Sequence, residues 1–479
     1  MSIAQADQTS TTNAMPQLRR SLRFTDVVLF FVLTCTNLQW VALAAAAGPS
    51  SVSVWLIGCA CMFIPLSVVV VYLTARYPDE GGLYVWSKMA FGPFAGFMTG
   101  WTYWASTMPY FPALLYFTAS SALFMFGGNT AALAGSPAFF ISLSIGGLAL
   151  GTIVNVFGLN VGKWLNDVGA VSRWIVTLVL IALGAFVVWR FGSATPLNTE
   201  TMRPTFSVKD LIFWSAVAFA WTGPEAIAFM AGEVKDPRRT IPRALAVAAP
   251  AIAAIYIAGT ASVLVALPAA HVSALTGVMQ AIADASSRFG LHTLTPLAAL
   301  LVVISCLGSV GAWLGAVARL PFVAGIDRYL PAAFGRMHPR WGSPVATLWT
   351  QFAIATVLVI LGQGGTNVKG AYEVLVSTTV IITYIPFIAL FASAIKLHAG
   401  SAPSEIGIPG GRATVIASAT VGLLTTSISI VLATFPPDDE PNKALAVLKV
   451  LGLSAVMVAA GVALYASGRR REAATEQAA

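Results

Sequence analysis

Charge is scarce in this chain. Only 10% of its 479 residues are Asp, Glu, Lys or Arg, where soluble domains carry about 25%. With 57% hydrophobic residues, so little charge excludes an ordinary soluble domain. Cysteine and histidine are equally sparse, four of each. Cys35, Cys59, Cys61 and Cys306 all fall inside apolar runs, so neither a disulfide framework nor a zinc site is indicated. Cys59 and Cys61 stand two apart, which sends them to different helix faces. His271, His292, His338 and His398 are scattered along the chain, and no metal constellation or other cofactor is expected. A Gly-rich phosphate loop with Lys is missing, which argues against ATP-driven transport. Nucleophiles lack a base at a plausible spacing, which argues against a membrane-embedded enzyme.

What the chain does have is apolar length. Runs of about twenty residues, each able to cross a bilayer, occur at 27–47, 52–74, 93–125, 137–157, 168–190, 211–232, 244–267, 293–323, 344–362, 373–395, 411–434 and 445–467. The expected fold is an all-α integral membrane protein with about twelve transmembrane helices. The basic residues sort by side. With the amino terminus inside, 20 of the 27 Lys and Arg fall on that side and 7 on the other, as the positive-inside rule requires. The net charge of +8 therefore sets topology, with both termini cytoplasmic in the cell membrane. It does not make a nucleic-acid surface. Residues 1–20 are polar and read as a disordered cytoplasmic tail. Residues 21–467 read as one membrane domain and 468–479 as a cytoplasmic tail. The first run ends in AAAAG, yet it exceeds the about 7–15 residues of a signal-peptide core, so it reads as a retained span.

Two runs are interrupted. In residues 219–243, FAWTGPEAIAFMAGEVKDPRRTIPR, Pro224 has no N–H and its ring clashes with the preceding turn, so the helix must open there. An opened helix survives in a membrane only where it lines a cavity or meets protein. Glu225 lies in that gap, and an intramembrane carboxylate marks a candidate functional site. The first span has its own polar run, Thr34-Cys35-Thr36-Asn37-Leu38-Gln39, whose side chains compete for backbone hydrogen bonds and support unwinding. Spans one and six then become equivalent broken helices in a 5+5 inverted repeat, a common carrier architecture. The repeats cover 27–190 and 211–395, with the last two spans at 411–467 outside them. Residues 273–289 place Leu275, Val278, Met279 and Ile282 at helical spacing. This predicts a short amphipathic helix at the outer mouth, either packed there or serving as a lid.

Three blocks carry a resemblance to the amino acid–polyamine–organocation transporter superfamily. Arg76 to Trp86, RYPDEGGLYVW, with Ala90-Phe91-Gly92 and Gly100-Trp101, resembles its signature after span two. Gly223-Pro224-Glu225 through Gly232-Glu233-Val234-Lys235-Asp236-Pro237 resembles its sixth-span signature. Cys306 to Trp313, CLGSVGAW, through Asp327-Arg328-Tyr329-Leu330-Pro331 is similar to the eighth span of the superfamily's arginine/agmatine antiporters. The chain departs from the family pattern at Thr34 to Gln39, which replace a Gly-Ser/Ala-Gly type motif. It departs again at Pro224, where an aromatic or aliphatic residue is more common. The resemblance implies a LeuT-type fold with broken helices 1 and 6, and a secondary transporter of amino acids, neutral ones foremost. Such a permease or exchanger works by alternating access. Substrate identity does not transfer.

The resemblance also implies site residues. A substrate carboxylate would meet the first break at Thr34, Cys35, Thr36 and Asn37, where a half-helix amino end offers N–H donors and partial positive charge. The ammonium would meet carbonyls near Phe219, Ala220 and Trp221, beside Gly223. Glu225 matches a pH-sensing glutamate and reads foremost as a structural or gating group, secondly as a substrate contact or proton carrier. Trp313 falls where the antiporter covers its substrate with a tryptophan, and reads equally as a gate or as a packing or interface residue. Ser106, Thr107, Tyr110 and Ser377 are wall candidates, whereas Thr379 and Thr383 read equally as helix–helix hydrogen bonders. Arg173 reads foremost as an anchor that snorkels to the interface. The alternative is that its guanidinium, which keeps its proton, fills the space that sodium takes in sodium-coupled relatives. The expected partners are an amino acid and the lipid bilayer, with no nucleic acid and the oligomeric state open, a homodimer included. A polyamine carrier is the alternative on the same fold, although it would need several pocket acids. A transporter-like membrane sensor is the alternative of a different class.

Overall fold

In a computed structural model the described residues, which are 22–77, 82–126, 130–205, 208–229, 234–323, 329–399, 410–436 and 440–478, form helices joined by turns and loops, with no strand beyond an isolated bridge between Leu22 and Val234. The first expected span is divided into α1 (Phe24–Cys35) and α2 (Leu38–Ala47). Next come α3 (Ser51–Arg76), a short α4 (Leu83–Phe91), α5 (Pro93–Ala122), α6 (Pro137–Val156) and α7 (Leu159–Phe191). The sixth expected span comprises α8 (Val208–Ala220) and a 3-10 helix (Pro224–Phe229). Then follow α9 (Pro237–Ala266), α10 (Gly277–Arg288), α11 (Leu294–Val317), α12 (Val345–Gln363) and α13 (Val368–Ala399). The chain closes with α14 (Gly411–Leu432) and α15 (Lys443–Ala478).

Among the described residues nine helices are long and apolar enough to cross a membrane: α3, α6, α7, α9 and α11 to α15. The expected span 93–125 is α5, and its composition follows from its position. Every residue from Thr99 to Leu123 is buried except half-buried Tyr110. A helix enclosed by protein needs no lipid-facing surface, so it can carry Thr102, Ser106 and Thr107. By contrast α7 exposes Trp164 (75%) and Trp189 (78%) near its two ends. Their separation is about 38 Å along a helix rising 1.5 Å per residue, which suits the two polar interfaces of a bilayer.

Local devices fix the helix ends. Asn37 caps α2, its side chain accepting from Gln39 N–H at 3.2 Å. Pro137 and Pro237 occupy the first turns of α6 and α9, where a missing N–H costs nothing. A π turn at Cys59–Phe63 interrupts α3, and the Cys61 carbonyl there accepts from Thr425 Oγ1 of α14 at 3.0 Å. The amphipathic α10 is packed: Val278, Met279 and Ile282 are buried, and the Leu275 carbonyl before it accepts from Ser120 of α5 at 2.8 Å. The expected tail 1–20 lies outside the described residues. The expected tail 468–479 continues α15 as far as Ala478, and Arg471 there donates to the Tyr329 carbonyl at 2.9 Å.

Candidate functional site

Thr34 and Thr36 loosen the end of α1 by donating their hydroxyls back to the Phe30 and Val32 carbonyls, at 2.9 and 2.6 Å. The helix stops at Cys35, and Thr36 and Asn37 are extended. The second interruption follows Ala220, with Gly223 at φ +127°, a conformation that favours glycine. The two breaks touch. A Cβ on Gly223 would lie 2.6 Å from Cys35 Sγ, so glycine is required there by contact as well as by conformation.

Glu225 is 3% exposed. One carboxylate oxygen accepts from the Gly223 N–H at 2.7 Å and the other from the Tyr103 hydroxyl at 3.1 Å. The side chain therefore closes the second break on itself and ties it to α5. A buried carboxylate held by two donors has the hydrogen bonding that such burial demands.

The first break is held from elsewhere. Arg173 of α7 donates to the Thr36 carbonyl at 2.9 Å, to Ser305 at 3.3 Å and to Ser309. The reading of Arg173 as a snorkelling anchor is corrected: its fork turns inward and joins α7, α11 and the end of α1. Five fixed donors make guanidinium suited to several acceptors at once. On the other flank the Tyr256 hydroxyl of α9 stands 2.5 Å from the Cys35 carbonyl and 3.2 Å from the Ala220 carbonyl.

A cavity of about 80 Å³ opens where the breaks meet, room for several waters at about 10–15 Å³ each. Thr34, Cys35, Thr36 and Asn37 form one wall, with Asn37 Nδ2 donating to the Tyr110 hydroxyl at 3.2 Å. Phe219, Ala220, Gly223 and Glu225 form the facing wall, and Ser106, Thr107, Tyr110, Arg173 and Trp313 complete it. Two expected members lie elsewhere. Trp221 is fully buried behind the wall, packed on Trp55, Phe63 and Tyr256, with its N–H donated to the Trp55 carbonyl at 3.1 Å. Gly58 leaves it that space, since a Cβ there would lie 2.9 Å from the indole. Ser377 faces a separate small pocket with Glu373, Phe435 and Glu440, while Thr379 and Thr383 line the central cavity. Two residues on a helix turn the side chain by about 200°, so Ser377 and Thr379 cannot share a face.

Trp40, Tyr103, Thr222, Tyr256 and Ser309 also line the cavity. Tyr103 and Tyr256 carried a usable signal: a phenol hydroxyl in an apolar span needs a partner. Two of the carbonyls expected to receive an ammonium, those of Phe219 and Ala220, are engaged. Phe219 O accepts from Thr222 N–H at 2.9 Å and from its hydroxyl at 2.8 Å, which uses both of its lone pairs.

Residues 22–443 match the family model described as amino acid permease. The chain belongs to that family. It is thus a multi-pass membrane transporter and not an enzyme. An uncharacterised transporter of Legionella pneumophila is 28% identical over 433 residues, covering 90% of this permease and 92% of the relative. The probable agmatine/putrescine antiporter AguD of Lactococcus lactis is 23% identical, covering 74% of each chain. The glutamate/serine transporter AimA of Bacillus subtilis is 22% identical, covering 71% of the permease and 64% of the relative. The crystal structure of MhsT in complex with L-phenylalanine shares the fold, with a TM-score of 0.55 at 13% identity, covering 92% of the permease and 98% of MhsT.

Proposed function

We propose that this permease carries neutral amino acids across the cell membrane by alternating access, as a secondary permease or exchanger with cytoplasmic termini. In this reading α1 with α2, and α8 with the 3-10 helix, are the equivalent broken members of two five-span repeats in a twelve-span chain.

The carrying observation is the polarity of the cavity. The amino end of α2 and the Arg173 guanidinium stand at the first break, and Glu225 and the carboxyl end of α8 stand at the second. Helix ends carry about half a charge, positive at the amino end and negative at the carboxyl end. A zwitterion placed across the gap would put its carboxylate toward Thr36 and Asn37 and its ammonium toward Glu225 and Gly223. The Phe219 and Ala220 carbonyls accept from Thr222 and Tyr256, so ammonium binding there requires those donors to let go. Trp313, on α11, is the covering ring. Arg173 supplies a fixed charge without a sodium ion or a releasable proton.

Side-chain preference follows from the remaining walls, which are hydroxylic and aromatic with one carboxylate. A polyamine needs more than one acid at matched spacing, and the resemblance to AguD makes it the second reading. A thermal-shift screen of the purified permease against amino acids and polyamines separates them. A ligand at 100 times its Kd stabilises by about 2.7 kcal/mol. Shifts from neutral amino acids, followed by their uptake into liposomes, are expected; shifts from polyamines alone overturn the substrate class. Trp313→Ala is expected to need more ligand for the same shift, and an unaltered titration would reject the covering role.

A further inference from the structure

The first turns of α9 carry a stripe that changes character along its length. Arg239 and Arg243 stand four apart on one face, and Ala246 and Val247 continue that face a turn further. With Asp236, Thr240 and Phe24 of α1 they line a groove of about 620 Å³. Phe24 is 43% exposed and Val247 50%. The Asp236–Arg239 ion pair spans 3.8 Å between largely exposed side chains, and such a pair holds weakly. Arg243 has no hydrogen bond or ion pair to the described residues. From 235 to 243 four basic residues stand against one acid.

The positive-inside rule accounts for basic residues at a membrane edge. It does not account for two arginines sharing a groove with a bare phenyl ring and a bare valine. A phospholipid has that same order, a charged phosphate above apolar chains. Arginine forks match phosphate oxygens, and basic pockets between helices at a membrane surface suit lipid headgroups.

We propose that this groove binds one anionic phospholipid, with Arg239 and Arg243 on its phosphate and an acyl chain over Val247 and Phe24. The site lies outside the central cavity and does not depend on the transported substrate. It has a mechanical consequence. The Leu22 carbonyl accepts from Lys235 N–H at 2.9 Å, so the start of α1 is already tied to the segment entering α9. A lipid spanning the groove adds a second tie between the first broken helix and α9.

The test uses the full chain, purified and stripped of lipid, titrated with dioctanoyl phosphatidylglycerol, dioctanoyl phosphatidylcholine or inorganic phosphate while its melting temperature is followed. Phosphatidylglycerol alone is expected to raise it. Arg239→Gln with Arg243→Gln should weaken that binding about 30-fold, roughly fivefold per arginine. Arg469→Gln with Arg470→Gln, also basic but outside the groove, should leave it unchanged. Equal shifts from phosphatidylcholine would mean a general lipid effect, and equal shifts from inorganic phosphate a bare anion site; either overturns the proposal. So does the absence of a shift, or a groove variant that binds like the parent. Should the groove variant fail to fold, the headgroup comparison on the parent chain decides.

Discussion

The two chain breaks meet in one cavity, yet they are built by opposite means. The second contains Gly223 and Pro224, and the carboxylate that caps it is two residues from the N–H it accepts. The first contains neither glycine nor proline between Thr34 and Gln39. Its exposed carbonyls are held by Arg173 and Tyr256, 137 and 221 residues away. Buried backbone groups must find partners, and these breaks show two ways of doing so. One opening is specified mostly by its own residues; the other, loosened locally by Thr34 and Thr36, depends on distant helices for the donors that hold its carbonyls.

That contrast says where each break is fragile. Arg173→Leu should have the largest effect, because it strips three acceptors of a shared charged donor in one change. Hydrogen bonds to charged groups contribute about 1.5–3 kcal/mol each, so three at the low end of that range imply a loss of about 4–5 kcal/mol, and a loss of measurable uptake is expected. Arg173→Lys should recover only part, since an ammonium lacks the fork. Wild-type uptake by the Leu variant in liposomes would show that the first break does not depend on this donor.

Gly223→Ala attacks the local break. The added Cβ meets Cys35 Sγ at 2.6 Å and the residue sits at φ +127°, a conformation that costs about 1–3 kcal/mol for other residues. Pairing it with Cys35→Ala should relieve the contact and leave the conformational cost. A double variant no more stable than the single one would place the whole penalty in the backbone. Glu225→Gln is milder, because an amide can still accept from the Gly223 N–H and donate to the Tyr103 oxygen. It carries neither charge nor a transferable proton, so the pH dependence of uptake should flatten while the melting temperature moves little. A variant with full uptake and the parent's pH profile would remove the gating role.

The same contrast explains what could be read before the structure. Pro224 and Glu225 announce the second break within two residues, because proline's missing N–H and a carboxylate in an apolar run are local facts. The polar run from Thr34 to Gln39 marked the first break but could not name its donors. Arg173 lies near the start of the span 168–190 expected from sequence, where a snorkelling anchor is the ordinary reading. The helix begins earlier, at Leu159, so Arg173 stands near its middle, where packing turns it inward. Tyr256 is one phenol in the run AAIYIAG, with nothing nearby to say which carbonyl it serves. Trp221 and Ser377 failed as wall residues for a simpler reason. Neither proximity in sequence to a break, as for Trp221, nor membership of a lining helix, as for Ser377, says which way a side chain faces, and about 100° per residue decides it.

Tyr256→Phe sharpens the comparison with the smallest change. One hydroxyl stands 2.5 Å from a carbonyl of the first break and 3.2 Å from one of the second, so it is the point where the distant and the local designs share a donor. Its ring remains stacked on Trp55, 4.1 Å between centroids, and the substitution keeps that packing. Removing the hydroxyl leaves Cys35 O short of its donor, a loss of about 1 kcal/mol. Because the single hydroxyl proton lies between a carbonyl of each break, mainly on Cys35 O and bifurcated toward Ala220 O, its loss should loosen them together and speed substrate release more than it lowers the melting temperature. Exchange in liposomes, measured as release of preloaded substrate, reads that directly. Faster release with a nearly unchanged melting temperature would make Tyr256 a latch between the breaks. An unaltered rate with a lowered melting temperature would make the hydroxyl a structural donor to the first break alone.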